Sequence, residues 1–318
     1  MVVFSFSLLS VLWVMEPLAT DKGSGTDVSD ELAQEFRSYR FSAIRIPIWV
    51  TDRHGLPRTD LTARDFKLYV DGRQVAIEGF MSTHEQPIEL AYLLDLSGSM
   101  EIGGKVAASV TTMDWLMEMQ RGADRWRLFA FSDDQVVEVL DDSRPEYWPE
   151  ISTKLKGYGK TALYDTLVSA DIFFKPLSLN NRAVLLFTDG NDNRSEFSEQ
   201  EMLKILSVLD VPVFVVAIAD GFLPKTARGE AELGLQTLRE IAKVTGGELF
   251  LVRNAESLSG IWYQLEHRLR PQYLVTITVE RGVDDRRHEI VADLDGHRKL
   301  DIRSRRGYLG SLPTSGGN

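Results

Sequence analysis

The stretch DLSGSM (95–100) sets an aspartate and two serines, Asp95, Ser97 and Ser99, at alternate positions around a glycine. Alternate positions of an extended chain point to one side, and Gly98 allows a tight turn, so the three side-chain oxygens converge. Carboxylate and hydroxyl oxygens are the ligands a hard divalent cation prefers. Three are too few alone. Two more stand at other loops: Thr161, in GYGKTALYDT (157–166) just ahead of an apolar helical pattern, and Asp189, at the end of VLLFTD. The five oxygens suit Mg²⁺, with Mn²⁺ and Ca²⁺ as alternatives.

Rival chemistries fail on spacing. A phosphate-binding loop needs GxxxxGK[ST] directly after a strand; here Lys154 stands where the first glycine belongs, and a helical stretch precedes the loop. A phosphatase of the aspartate-nucleophile type wants a second aspartate where Ser97 stands, and LSGSM does not match the GxSxG elbow. DGNDN (189–193) hints at a calcium loop, but Arg194 replaces its sixth-position glycine and Gln200 its twelfth-position glutamate. The chain has no cysteine, and its histidines (His54, His84, His267, His288, His297) form no close pair. Thiolate and histidine zinc sites are not expected. No activated nucleophile or acid–base pair is recognisable, so no catalytic residue is assigned. The formal net charge is −11, and the basic cluster Arg303, Arg305 and Arg306 is small. Neither nucleic acid nor nucleotide is an expected partner.

The elements that must position these oxygens are legible in outline. Residues 88–96, 182–190 and 211–219 are near-continuous apolar runs, as in strands buried on both faces. Helical patterns near 103–120, 145–155, 161–174, 198–209, 231–245 and 255–270 alternate with them, and further strands are expected at 126–132 and 135–140. The expected fold is α/β, a doubly wound and mostly parallel sheet. Its strand ends carry Asp95 and Asp189, where open sheets of this kind place ligands.

On both sides the texture is all-β. AIRIPIWV, FKLYV and QVAIEGF precede the α/β region, with Asp71-Gly72 as a hairpin turn, and YLVTITVE, HEIVADLD and LDIRSR follow it. The two flanks are expected to pair into one small β domain. The expected order is an apolar leader-like segment at 1–19, a linker at 20–40, a β unit at 41–85, the α/β domain at 86–271, β strands at 272–310 and a tail at 311–318. Residues 1–15 carry no charged side chain, and Ala19 suits the last position before cleavage. Export to the periplasm, envelope or exterior is the expectation.

DxSxS, an isolated threonine before a helix and a strand-end TDG, in this order, resemble the metal-ion-dependent adhesion site of the von Willebrand factor type A (VWFA) domain over residues 88–270. More loosely, VTDRHG…LTARDFKLYVDGRQVAIEGF and RRGYLG look like the VWFA-related family of acidobacterial-type bacteria. The resemblance implies a Rossmann-like domain. It implies that Ser97 and Ser99 ligate a metal directly, that Thr161 joins them in the ligand-bound form, and that Asp95 and Asp189 act directly or through water. It also implies a protein partner whose Asp or Glu carboxylate completes the shell. The reading is a cation-dependent, non-enzymatic binding module. The alternatives are a structural subunit with a non-exchanging metal and, behind it, a metal-dependent hydrolase.

Overall fold

The computed structural model describes residues 3–5 and 41–309, apart from 119, 134, 175–180, 208–210, 219–227, 254–260, 262–263, 266–267, 271–272, 281–285 and 297–298. The expected linker, most of the leader-like segment and the tail from 311 lie outside the described residues.

The α/β domain is built on β6 (Glu89–Asp95), every residue of which is buried. Strand geometry sends successive side chains to opposite faces. Leu90, Tyr92 and Leu94 enter one apolar cluster, and Ala91 and Leu93 enter the other. The same division holds in β9 (Arg182–Thr188) and β10 (Val213–Ile218). Helix α1 (Lys105–Glu118) packs Val106, Met113 and Leu116 on the first face, beside Ile261, Leu265 and Leu269. Helices α2 (Leu163–Val168), α3 (Glu199–Leu206) and α4 (Arg228–Thr245) cover the second. Burying one such leucine contributes about 1.5–3 kcal/mol, so two covered faces hold the sheet.

Strands β7 (Arg125–Ser132) and β11 (Leu249–Val252) complete a parallel set with β6, β9 and β10. Antiparallel β8 (Gln135–Asp141) and β1 (Val3–Ser5) extend its edge, in the order β1-β8-β7-β6-β9-β10-β11. From β6 the chain steps to β7 on one side and later returns to β9 on the other. That reversal opens a crevice beyond the carboxyl ends of β6 and β9.

The two all-β flanks pair with each other. Strand β2 (Phe41–Thr51) runs antiparallel to β12 (Tyr273–Glu280), with Ile46 opposite Val275. Strand β3 (Phe66–Val70) pairs with β13 (Arg287–Leu294). Two four-stranded sheets result, closed by β4 (Arg73–Val75), β5 (Gly79–Ser82), β14 (Asp301–Ser304) and β15 (Gly307–Leu309). They enclose a separate core that includes Ile46, Ile48, Leu68, Tyr273 and Ile277. Asp71 and Gly72 both take left-handed φ, 48° and 76°, as a two-residue hairpin turn requires.

Several elements differ from the sequence pattern. QVAIEGF is not one strand, because the chain crosses there from one sheet to the other. A Cβ on Gly79 would lie 3.1 Å from Thr276, so the crossing uses a glycine. The helix expected at 161–174 breaks into α2 and a 3-10 turn, Ala170–Phe173, where the Ser169 hydroxyl donates back to the Asp165 carbonyl. The helix expected at 145–155 shortens to Trp148–Ser152 behind a 3-10 turn. Of the face expected on helix 255–270, Ile261, Leu265 and Leu269 are buried, and Leu258 lies outside the described residues. No helix among the described residues is long and apolar enough to cross a membrane.

The basic C-terminal cluster serves the join between the domains. Arg303 lies 4.5 Å from the Trp49 ring centre and 5.5 Å from that of Phe214, and it pairs with Glu248. Arg305 is fully buried and donates to the Gly307 and Ser207 carbonyls. At the start of β7, Arg270 pairs with Asp124, whose side chain is fully enclosed. Asp124 also accepts the Ile88 and Arg121 N–H groups at 3.0 and 2.8 Å. Burial pushes the Asp124 carboxyl up, but Arg270 and the two N–H groups outweigh it and hold the carboxyl below its usual range. A depressed folded-state pKa stabilises above the unfolded value and is lost as pH falls through the folded one. Asp124→Asn should therefore cost about 1–3 kcal/mol at pH 7, by removing the charged partner of a largely buried guanidinium that keeps the Gln86 carbonyl. In urea melts the gap to wild type should narrow below about pH 4; a gap independent of pH would refute the charge pair.

Candidate metal centre

Asp95 ends β6 with no exposed surface. A lone carboxylate there would be costly, and two donors meet it. Thr188, the last residue of neighbouring β9, donates its hydroxyl to Oδ2 at 2.6 Å, and the Ser97 N–H donates to Oδ1 at 2.9 Å. Burial still pushes the carboxyl up to about 6; the Thr188 and Ser97 bonds oppose the rise, and the charge of Asp189 adds to it.

Ser97 begins the single helical turn Gly98–Glu101, yet its side chain makes no capping bond. Its hydroxyl lies 3.1 Å from that of Ser99 instead. Ser97 is buried and Ser99 half-buried. The capping role that serines commonly take is therefore not what orients Ser97.

The GYGKT loop is fastened against this turn through its backbone. The Tyr158 N–H donates to the Leu96 carbonyl at 2.7 Å, and Gly98 N–H donates to the Gly159 carbonyl at 3.0 Å. Gly157 N–H donates to Glu101, Lys160 N–H to Asp133 and Thr161 N–H to Asn193, at 2.8, 2.8 and 2.9 Å. These N–H groups are engaged by the protein itself, so they do not form a phosphate cradle. Both glycines serve packing. A Cβ on Gly157 would lie 2.4 Å from the Ser97 carbonyl oxygen, while Gly159 takes φ +71° with Asp133 where its Cβ would be. Thr161, at the end of this loop, is 1% exposed.

The third loop follows β9. Asn193 N–H returns a bond to the Thr161 carbonyl at 3.1 Å, closing a reciprocal pair between the two loops. Asp192 accepts the Tyr164 N–H at 3.0 Å and the Ser195 hydroxyl at 2.6 Å. Asp165, in the first turn of α2, accepts the Glu196 and Phe197 N–H groups. Asp133, in the turn between β7 and β8, has φ 49° and anchors the threonine loop. Asp189 accepts the Asn191 N–H on Oδ1 at 3.2 Å and the Lys105 ammonium on Oδ2 at 2.7 Å.

The sequence pattern singled out Asp95, Ser97, Ser99, Thr161 and Asp189 as candidates but not Thr188, Lys105, Asp133, Asn193 and Asp165, which hydrogen-bond to these residues and their loops. The TDG stretch held the one local signal, since Thr188 immediately precedes Asp189. The remainder are long-range partners.

Among the described residues no three His, Cys, Asp or Glu groups cluster as metal ligands, so a cation here would depend on hydroxyls. The donors on the three loops are all oxygen, which suits a hard cation, and the buried Lys105 ammonium shows that the site already stabilises positive charge. Beside Ser99 lies a groove of about 700 Å³, lined by Asn191, Asp192, Glu199, Gln236 and Thr237 among others.

No family model matches the sequence. No curated protein matches it. Solved structures similar to the chain include a von Willebrand factor type A protein from Catenulispora acidiphila, at 13% identity and TM-score 0.44, over 87% of this chain and 75% of that one. They also include the conserved hypothetical protein BatB from Bacteroides thetaiotaomicron, at 19% and 0.43, over 56% and 97%. A third is proximal thread matrix protein 1 from the mussel byssus with a zinc-occupied MIDAS motif, at 17% and 0.46, over 61% of this chain and half of that protein. At these identities and scores the likenesses carry no functional weight; the strand order and loop geometry stand by themselves.

The close approach at Gly157 is open to test. Gly157→Ala should lose about 1–3 kcal/mol, the cost of overpacking, because the Ser97 turn must move. Gly122→Ala, with no atom within 4 Å of its Cβ, should stay near wild type. Equal urea midpoints for the two variants would contradict this packing.

Proposed function

We propose that the three loops bind a divalent cation, Mg²⁺ by the hardness of the donors, and that the bound cation grips a carboxylate on a protein partner. Ser97, Ser99 and Thr161 would supply hydroxyl ligands; Asp95 and Asp189 would ligate directly or through water. Mg²⁺ dehydrates reluctantly and keeps several waters, so hydroxyls and two carboxylates are a reasonable shell. The metal supplies a concentrated positive charge; the chain's own residues hold it, orient it and leave one side open. Mn²⁺ and Ca²⁺ suit the same donors.

The observation that carries the reading is the pair of serine hydroxyls. They sit 3.1 Å apart beside a fully buried carboxylate, with Ser97 free of any capping bond and Ser99 bordering the groove. Helix-capping serines have no reason to adopt that placement. The groove beside them is open and carries polar side chains such as Asn191, Asp192, Gln236 and Thr237, as a surface for a protein loop would.

A binding module fits better than an enzyme. The described residues lining the groove include no histidine or lysine. Its Asp192 already accepts from Tyr164 and Ser195, so it is not poised as a general base. Export is part of the same proposal, supported by the uncharged side chains of segment 1–15, although Val3–Ser5 of that segment pair with β8.

Calorimetry of the full chain with Mg²⁺ and with Mn²⁺ tests the site. Saturable binding is expected in wild type, with a loss of at least tenfold in affinity in Asp95→Ala/Ser97→Ala. Acetate, as a carboxylate probe, should tighten Mn²⁺ binding in wild type and not in the double variant. Equal affinities in the two proteins would place the cation elsewhere and end the proposal.

A further inference from the structure

Lys105 opens helix α1, and its side chain is 5% exposed, as is that of Asp189, which it meets at 2.7 Å. This is an unfavourable place for a lysine on two counts. A buried ammonium loses its hydration, and the positive end of the helix macrodipole lies in the first turn. The chain also makes a particular turn to put it there: Gly103 and Gly104, immediately before it, take left-handed φ of 72° and 73°. The ammonium therefore meets Asp189, one of the candidate metal-binding carboxylates, against two local penalties.

We propose that Lys105 is a built-in cation of the metal site, which weakens the hold on a divalent ion alone and makes tight retention depend on an anionic ligand. The inference rests on the metal-site reading above. With both carboxylates ionised, Asp95, Asp189 and Lys105 together carry one negative charge, which a divalent cation converts to one positive charge. Without Lys105 the same three positions would carry two negative charges, and the loaded site would be neutral. A net-positive loaded site in a low-dielectric setting attracts a carboxylate strongly; a neutral one does so weakly. Lys105 thus trades cation affinity for ligand affinity, and it couples the two binding events, since each then favours the other. Asp189 has room for both roles: Oδ2 holds the ammonium, while Oδ1 accepts only the longer Asn191 bond of 3.2 Å among the hydrogen bonds described.

The test titrates Mn²⁺ into the full chain, with and without acetate as the carboxylate probe. Wild type is compared with Lys105→Met, which keeps the apolar stem, and with Lys105→Gln, which can still donate to Asp189. Asp95→Ala/Ser97→Ala is the control for the site itself. Both neutral variants should bind Mn²⁺ at least about tenfold tighter than wild type, and the tightening by acetate seen in wild type should shrink. Removing the ammonium strands Asp189 and lowers stability without metal, so melts are run with and without Mn²⁺. Mn²⁺ should raise the Tm of each neutral variant by more than that of wild type, as tighter binding to the folded state requires. If Lys105 merely buttresses Asp189, the neutral variants will bind Mn²⁺ no tighter or more weakly, and the inference is overturned while the metal site stands. If the double variant binds Mn²⁺ as wild type does, or no protein binds it, the metal-site reading fails and this inference falls with it.

Discussion

A carboxylate at the end of a strand buried on both faces must be compensated on the spot. Asp95 is that group, and the surrounding structure is arranged around its compensation. Thr188 reaches it from the adjacent strand, which ties the register of β9 to that of β6. The Ser97 N–H reaches it from the following turn, which fixes where the two serine hydroxyls stand. Burial nonetheless pushes the carboxyl up to about 6 against these donors.

The remaining loops are braced so that this turn cannot drift. The threonine loop lies against it by backbone bonds at Tyr158 and Gly98, with Gly157 leaving no space for a side chain. The loop after β9 is joined to the threonine loop through Asn193 and to α2 through Asp192 and Asp165. Loops carrying functional groups are held best by rigid elements beneath them. Here the rigid element is a sheet covered on both faces. The β domain adds a second restraint at a distance: Arg303 and Arg305 fasten it to the α/β domain by stacking and by buried hydrogen bonds, while Arg270 and Asp124 clasp the start of β6.

Much of this was legible in the sequence where a local cause produces a local pattern. The continuous apolar runs at 88–96, 182–190 and 211–219 mark strands buried on both faces, since both sides of a pleat then need apolar side chains. Asp71-Gly72 marks a two-residue hairpin, because few residues tolerate its left-handed φ values. The β flanks signalled their class by alternation. Where the signal misled, a nonlocal cause intervened: QVAIEGF reads as one strand but is divided between two sheets, and the pattern at 161–174 continues past a serine that ends the helix.

By itself, the sequence determined the class of fold and the chemistry of the loop residues: oxygens suited to a hard cation, at strand ends where an open sheet presents them. The tertiary structure alone decided what stands around those oxygens. Lys105 meets Asp189 across 84 residues, and Thr188 meets Asp95 across 93. Polar partners at such separations leave no periodicity and no spacing to read, because they are set by which strands lie side by side and by where two left-handed glycines turn the chain. The charge balance of the site, the property that governs what it would bind, therefore arises only when the sheet has formed.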